Sequence, residues 1–488
     1  MSIGRRVANG ALWMLALKAA MKIIGLVSTV LLARLLTPED FGLIAIIMAI
    51  FAFVEVFGNF SFDTVLIQKH DADRAHYDTA WTFNFIFGLV ACLLIFLSSG
   101  WIAEFYSDSR LRAIAIALGF LFLISGAQNI GVVQFRKELT FNLEFKFQLI
   151  PKILSFFVTL TLAFWLRNYW ALIWGALVWR FLIVAFSYKI HPYRPRLTFS
   201  EWKSLFWFSK WLMVNNVFYF INNRSPELIV GKILSPQSAG LFSIAQEFAT
   251  MPTSELVGNI NAATYPGYCK VSHDRERLNA MYLSVISMIA VLVFPAGLGL
   301  SAISDVLVPV VLGPKWLEVT PLLSLLAVSG LLIALNTNTG FLFLARAQPR
   351  VTTLMSCFRA LVLFPSAIFF GLMYGLIGVA WSIFLTAFLA FFVFLILIKF
   401  NLNIGFKCIF KVFCRPVLAS AGMYVAVNFF ALYFVNLFGG VLALASLFLL
   451  GFIVYCFCLY CLWFSFGKPD GPETRILDFL QLKFPRRA

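Results

Sequence analysis

The chain has 488 residues, of which 61% are hydrophobic and 12% charged. A water-soluble protein runs nearer about 45–50% apolar and about 25% charged, so a soluble enzyme and a soluble nucleic-acid binder are both excluded. The formal charge of +16 then belongs to membrane orientation and contact with anionic lipid, with no nucleic acid as partner.

A bilayer-spanning helix needs about 20 mostly apolar residues. Runs of that kind fall at 11–32, 42–66, 81–102, 113–134, 147–166 and 169–189. They continue at 208–231, 239–264, 281–303, 320–344, 353–374, 376–398, 416–436 and 440–465. The fold class is therefore all-α, a polytopic membrane protein of about 14 transmembrane helices. Arg5 and Arg6 precede the first run, which is too long for a signal peptide and reads as an uncleaved span. Very short connections at Arg167–Asn168, Tyr374–Gly375 and Asn436–Gly439 force antiparallel hairpins.

Lys and Arg concentrate on alternate loops. The opposite loops hold only Arg34, Arg110, Arg112, Arg167, Lys232 and Lys315, so both termini are predicted to be cytoplasmic. The eight Cys are irregularly spaced and read as reduced thiols rather than a disulfide framework.

The chain repeats itself. Leu32-Ala33-Arg34-Leu35-Leu36-Thr37-Pro38 with Gly42-Leu43 matches Val230-Gly231-Lys232-Ile233-Leu234-Ser235-Pro236 with Gly240-Leu241, and Trp13 falls on Trp211 at the same offset. Six spans separate the copies, so both keep one orientation in the membrane, as in a parallel transporter repeat. The domains follow: a first six-helix lobe at 1–190, a cytoplasmic interfacial linker helix at 191–207, and a second six-helix lobe at 208–400. Two further transmembrane helices and a cytoplasmic tail occupy 401–488. Within the linker, Thr198-x-x-Glu201 reads as a capping box.

An ionisable group within a span costs about 3 kcal/mol at the helix centre on insertion scales, and usually faces a cavity. Lys18 and Lys22 share one face of the first span with Gly25 and Thr29. With Arg180 on the sixth span and Arg224 on the seventh, they form a candidate cationic cavity for an anionic substrate group. Lys152, Lys210 and Arg359 lie nearer the helix ends, where snorkelling serves equally well. Among the acids, Glu55, Asn59 and Asp63 make an i, i+4, i+8 stripe, and Glu247 and Glu255 lie on the eighth span. These are candidate coupling sites for H+ or Na+, or counter-charges to the basic groups. Asn215, Asn216, Tyr219, Asn222 and Asn223, with Asn336 and Asn338 on the tenth span, suit sugar hydroxyls and suit interhelical hydrogen bonds as well. The four His (His70, His76, His191, His273) fall in loops without metal-ligand spacing, so neither a metal nor another cofactor is expected. GxSxG, Walker and GxGxxG signatures are missing too, which argues against an enzyme.

The run Leu31-Leu32-Ala33-Arg34-Leu35-Leu36-Thr37-Pro38-Glu39-Asp40-Phe41-Gly42-Leu43 resembles the first-loop motif of bacterial polysaccharide (oligosaccharide-lipid) flippases. These belong to the multidrug/oligosaccharidyl-lipid/polysaccharide exporter superfamily. Leu312-Gly313-Pro314-Lys315-Trp316 before Pro321-Leu322-Leu323, and Phe208-Ser209-Lys210-Trp211, carry the same resemblance, which is closest to colanic-acid-type exporters and covers residues 1–400. It implies two rocking six-helix lobes in the bacterial inner membrane. It also implies a polyprenyl-diphosphate-linked oligosaccharide as cargo, moved from the cytoplasmic to the periplasmic leaflet, and a polysaccharide polymerase and chain-length proteins as partners. Pro226-Glu227 interrupts the seventh span next to Arg224, where many members of the family read straight through. A cation-coupled multidrug antiporter of the same superfamily is the alternative, and it calls for a more acidic cavity.

Overall fold

The computed structural model describes residues 3–58, 62–69, 72–468, 471, 472 and 474, with the side chains of 3–9, 11, 64, 68 and 203–215 excepted. In hydrocarbon every backbone N–H and C=O must find a partner inside its own segment, and the described residues obey this as a chain of helices. They are α1 (Ile3–Leu35), α2 (Pro38–Gly58), α3 (Phe62–Gln68), α4 (Arg74–Tyr106), α5 (Arg110–Gly126), α6 (Gln134–Lys137), α7 (Phe141–Leu166) and α8 (Trp170–Ile190). After a stretch without regular secondary structure follow α9 (Trp202–Ile233), α10 (Pro236–Val271), α11 (Arg275–Leu307), α12 (Val319–Ala345), α13 (Pro349–Leu402), α14 (Phe406–Phe438) and α15 (Gly440–Ser465).

Ten of these helices, among the described residues, are long and apolar enough to cross a bilayer. A further span is bent by 66° between Arg110–Gly126 and Ile130–Lys137. Helix α13 is two limbs joined at Gly375, whose φ of 62° and ψ of −144° reverse the chain, as the hairpin at Tyr374–Gly375 predicts. Helices α9 and α10 are as long but carry Asn, Arg and Glu along their length. With these the predicted spans are all accounted for, and the protein is a multi-pass, all-helical membrane protein.

Glu55 lies in α2 and Asp63 in α3, while the residues between them at 59–61, Asn59 included, lie outside the described residues. Two details differ from the sequence reading. No separate linker helix forms at 191–207: residues 191–199 have no regular secondary structure and α9 starts at Trp202, with no side-chain cap from Glu201. Side chains of Asp78, Thr82 and Asn129 instead bond backbone groups of that stretch. Finally, Pro226 lies inside α9 without ending it.

The chain packs as two compact units, Met1–Gly240 and Leu241–Ala488. In the first, α4 lies along α5, α7 between α1 and α8, and α2 against α9. In the second, α11 packs on α12 and α14, and the α14–α15 hairpin closes over it. The core there includes Tyr268, Leu278, Tyr282, Ile289 and Leu335. Buried amides and hydroxyls stitch it: Tyr268 donates to Asn338 (3.3 Å), and Asn338 donates to Asn261 (2.7 Å).

Within the first unit the two copies of the repeated motif meet. A Cβ at Gly42 would stand 1.6 Å from the Pro236 carbonyl oxygen, and one at Gly240 would stand 1.9 Å from the Pro38 carbonyl oxygen. Only glycine permits two helix starts to approach so closely. Each helix begins with proline, whose missing N–H costs nothing there, behind a hydroxyl residue, Thr37 or Ser235.

Candidate functional site

The second half of α2, the start of α3, α4 and the bend after α5 line a cavity of about 430 Å³ in the first unit. Its wall carries Glu55, Asp63, Asn84, Ser125, Gln128 and Arg136 among apolar residues such as Phe51, Phe87 and Phe122. The interruption of the α5 span explains how polar groups gather here. Where α5 stops at Gly126, Asn129 replaces helical bonding with its own side chain. Its Oδ1 accepts from the Gly131 amide (2.9 Å) and its Nδ2 donates to the Tyr193 carbonyl (2.7 Å). The chain turns through a short 3-10 segment into α6, which delivers Arg136 to the cavity.

Arg136 is held from behind. Glu144, 1% exposed on α7, accepts from its Nε at 2.9 Å and its Nη2 at 2.6 Å, and Gln148 donates to the same carboxylate. A buried carboxylate with three donors costs far less than a bare one, and it fixes the guanidinium's direction. The cavity therefore presents one positioned cation opposite two carboxylates, with amides and a hydroxyl between them. Polar groups converging in an otherwise apolar recess make it the default binding site of this unit.

The predicted site residues fall as follows. Glu55 and Asp63 both line this cavity, though from two helices. Arg180 is half-buried on α8 with its guanidinium 5.3 Å from the Trp179 ring centre, and Glu55 is the acid whose charge reaches it. Lys152 covers the same ring at 5.1 Å. On α1, Lys18 is exposed and Lys22 half-buried. On the same face, a Cβ at Gly25 would meet nothing within 4 Å. Arg224 is paired on its own helix with Glu227 at 3.3 Å.

Glu247 and Glu255 are exposed on α10, and Asn216 is half-buried on α9. Tyr219 is 69% exposed, and the Asn223 amide folds back on the Tyr219 carbonyl at 2.8 Å. Asn336 is 4% exposed and donates to the Ala387 carbonyl at 3.3 Å, a bond from α12 to α13. Asn215, Lys210 and Trp211 lie outside the described side chains, and His70 outside the described residues. Among the described residues no group of three or more His, Cys, Asp or Glu is placed to hold a metal.

Arg136, Glu144, Asn84 and Gln128 escape the sequence reading. The signal was Gln128-Asn129 interrupting an apolar run, followed by Arg136; it reads as a loop edge until the bend brings it back to α2.

Residues 31–321 match the family model described as "Polysaccharide biosynthesis protein". The chain belongs to this family. The resemblance carried by the short motifs is thus supported over residues 31–321. The lipopolysaccharide biosynthesis protein WzxC of Escherichia coli (strain K12) is 28% identical over 387 residues, which is 78% of each protein. Among solved structures, the lipid II flippase MurJ in an inward closed conformation superposes with a TM-score of 0.75 at 17% identity. That match covers 93% of this chain and 99% of that one. An inward-facing multidrug resistance transporter of the MATE family superposes with a TM-score of 0.58 at 16% identity, covering 78% of this chain and 94% of that one. At such identities these two likenesses establish the fold.

Proposed function

We propose that the protein moves a polyprenyl-diphosphate-linked oligosaccharide from the cytoplasmic to the periplasmic leaflet of the bacterial inner membrane, for surface polysaccharide assembly, by alternating access. The family match over 31–321 carries this reading. The physics supports it: a diphosphate cannot cross hydrocarbon unassisted, and basic groups placed within spans lower that barrier. Lys18, Lys22, Arg180 and Arg224 are assigned to the diphosphate, and Asn216, Tyr219, Asn223 and Asn336 to sugar. Both termini are taken as cytoplasmic. Glu55, Asp63, Glu247 and Glu255 are assigned to counter-charge or to coupling with H+ or Na+, of which the first two stand beside Arg136. A polysaccharide polymerase and chain-length proteins would receive the cargo.

The test is complementation of a deletion strain with Lys18→Ala and Lys22→Ala variants. Loss of surface polysaccharide, with the variants inserted at normal levels, is the expected result. Normal polysaccharide from both variants refutes the assignment, and protection of cells from cationic dyes would move the protein to the drug-exporter reading.

A further inference from the structure

The lipid-facing side of the first unit is grooved. Helices α5 and α8 lie two spans apart in the chain, so they run in the same direction, and between them opens a groove of about 690 Å³. Ala113, Ala117 and Ile124 line it from α5, and Trp170, Trp174 and Phe181 from α8. It is open along its length, with Trp174 50% and Phe181 62% exposed. A second groove of about 330 Å³ lies on the other flank of α5, against Leu89, Cys92 and Phe96 of α4. Ile116 and Phe120 line both grooves and so form the ridge between them.

The larger groove has the depth of one leaflet. Ala113 to Ile124 and Trp170 to Phe181 are each about 16 Å apart along their helices at 1.5 Å per residue, and half of a bilayer's hydrocarbon core is about 15 Å. The groove begins in the first turns of α5 and α8, where Tyr169 and Trp170 are residues suited to headgroup level. Arg112 stands at that end, one turn before Ile116 and two before Phe120, on the same helix face. Its charged neighbours are already engaged. Arg110 is committed to Asp108 (2.7 Å) and Glu39 (2.5 Å), and the Asp40 carboxylate to the Thr37 and Tyr169 amides. Arg112 is exposed and enters no ion pair among the described residues.

We propose that α5 seats a diacyl phospholipid with a net negative headgroup. One acyl chain lies in the α5–α8 groove, the other in the α4–α5 groove, and the phosphate rests on the Arg112 guanidinium. Two grooves astride one ridge suit two chains on one glycerol, whereas a single polyprenyl chain would leave one of them empty. A guanidinium matches phosphate oxygens in geometry and charge, and a headgroup without an ammonium leaves that pairing uncontested. Chains in the grooves also restore van der Waals contacts that a gap would forfeit. The lipid thus braces the bent α5 span between its neighbours, and the site depends on no assignment of cargo.

Photo-crosslinking of the purified full-length protein in lipid nanodiscs tests this. Phosphatidylglycerol and phosphatidylcholine probes with the same diazirine-bearing chains are compared at equal mole fraction, and labelling is quantified in peptides covering 89–96, 113–124 and 170–181. The phosphatidylglycerol probe is expected to label these segments about fivefold more strongly, as befits one arginine at a phosphate surface. Arg112→Gln should equalise the two probes, while Lys315→Gln, at an exposed cation of the second unit, should keep the excess. Ala113→Phe, which fills the mouth of the larger groove, should lower labelling of 170–181 by both probes. Equal labelling in the wild type overturns the proposal, as does an excess that survives Arg112→Gln, one that is lost equally in Lys315→Gln, or full labelling in Ala113→Phe. Displacement of the phosphatidylglycerol probe by a polyprenyl phosphate also overturns it, by giving the grooves to a single-chain lipid. Arg112 and Ala113 are both exposed, so neither change bears on folding, and the wild-type comparison decides the matter by itself.

Discussion

At the start of α2, the Asp40 carboxylate accepts from the Thr37 amide (2.9 Å) and hydroxyl (2.7 Å), and from the Tyr169 amide (2.9 Å) in the turn before α8. At the start of α10, the equivalent Ser238 bonds with Ser235, hydroxyl to hydroxyl at 3.0 Å and amide to hydroxyl at 3.1 Å. Next to Asp40, Glu39 reaches Arg110, which also holds Asp108; the equivalent in the second copy is the uncharged Gln237. Two stretches with one ancestral pattern are thus anchored unequally. The first is fastened by carboxylates to other elements of its unit, while the second is capped locally. If one of the two yields during transport, the chemistry favours the second.

The largest effect should come from the point where the copies touch. Gly42→Ala and Gly240→Ala put a methyl against a backbone carbonyl that cannot swing aside, a cost of about 3 kcal/mol or more. Both variants should lose thermal stability or be forced out of the crossed arrangement, read by thermal aggregation in detergent and by thiol labelling of cysteines placed nearby. Gly25→Ala, which meets open space, should leave both readings unchanged. Equal tolerance of all three substitutions would break the comparison at its root.

Next in size, Asp40→Ala removes a cap and a cross-link and should cost about 1–2 kcal/mol, against about 0.5–1 kcal/mol for Ser238→Ala. A reversed order would mean that the second copy is the fixed one. Lys232 runs against that contrast, since it ties the second copy to α4. Its ammonium lies 4.4 Å from the Phe105 ring centre and donates to the Phe105 carbonyl, so Lys232→Met should cost about 0.5–1 kcal/mol.

The smallest effect is a pH dependence confined to the first copy. Hydrogen bonds from Arg110 hold the Asp108 carboxyl below its ordinary value. A depressed folded value means that the contribution is complete above the ordinary carboxylate range and is lost as pH falls below it. Acid should therefore loosen α2 before α10, seen as earlier exchange of amides near Asp40, and Asp108→Asn should abolish the difference.

Much of this architecture could be read from the residues, because a span must be apolar throughout and that demand leaves little ambiguity. The hairpins at Arg167–Asn168 and Gly375 were legible for the same reason. Breaks inside apolar runs were not. Gln128-Asn129 bends the fourth span without any loss of apolar character around it, because side chains such as Asn129 replace the missing backbone bonds. The acid stripe illustrates the consequence. Glu55 and Asp63 do line one cavity, and their cationic neighbour Arg136 comes from a segment that looked like a loop edge. The linker's capping-box pattern misled in the opposite sense. Thr198 and Glu201 have the right spacing, yet the Thr198 amide is taken by Thr82 and no helix forms before Trp202.

The central claim, that this family member carries a lipid-linked sugar across the bilayer, is tested most directly with purified protein in proteoliposomes. A polyprenyl-diphosphate oligosaccharide is placed in one leaflet and its arrival in the other is read by a lectin that cannot cross. Protein-dependent arrival, lost in Lys18→Ala with Lys22→Ala, is the predicted result. Arrival at the protein-free rate, in vesicles that still expel a cationic dye, would contradict it.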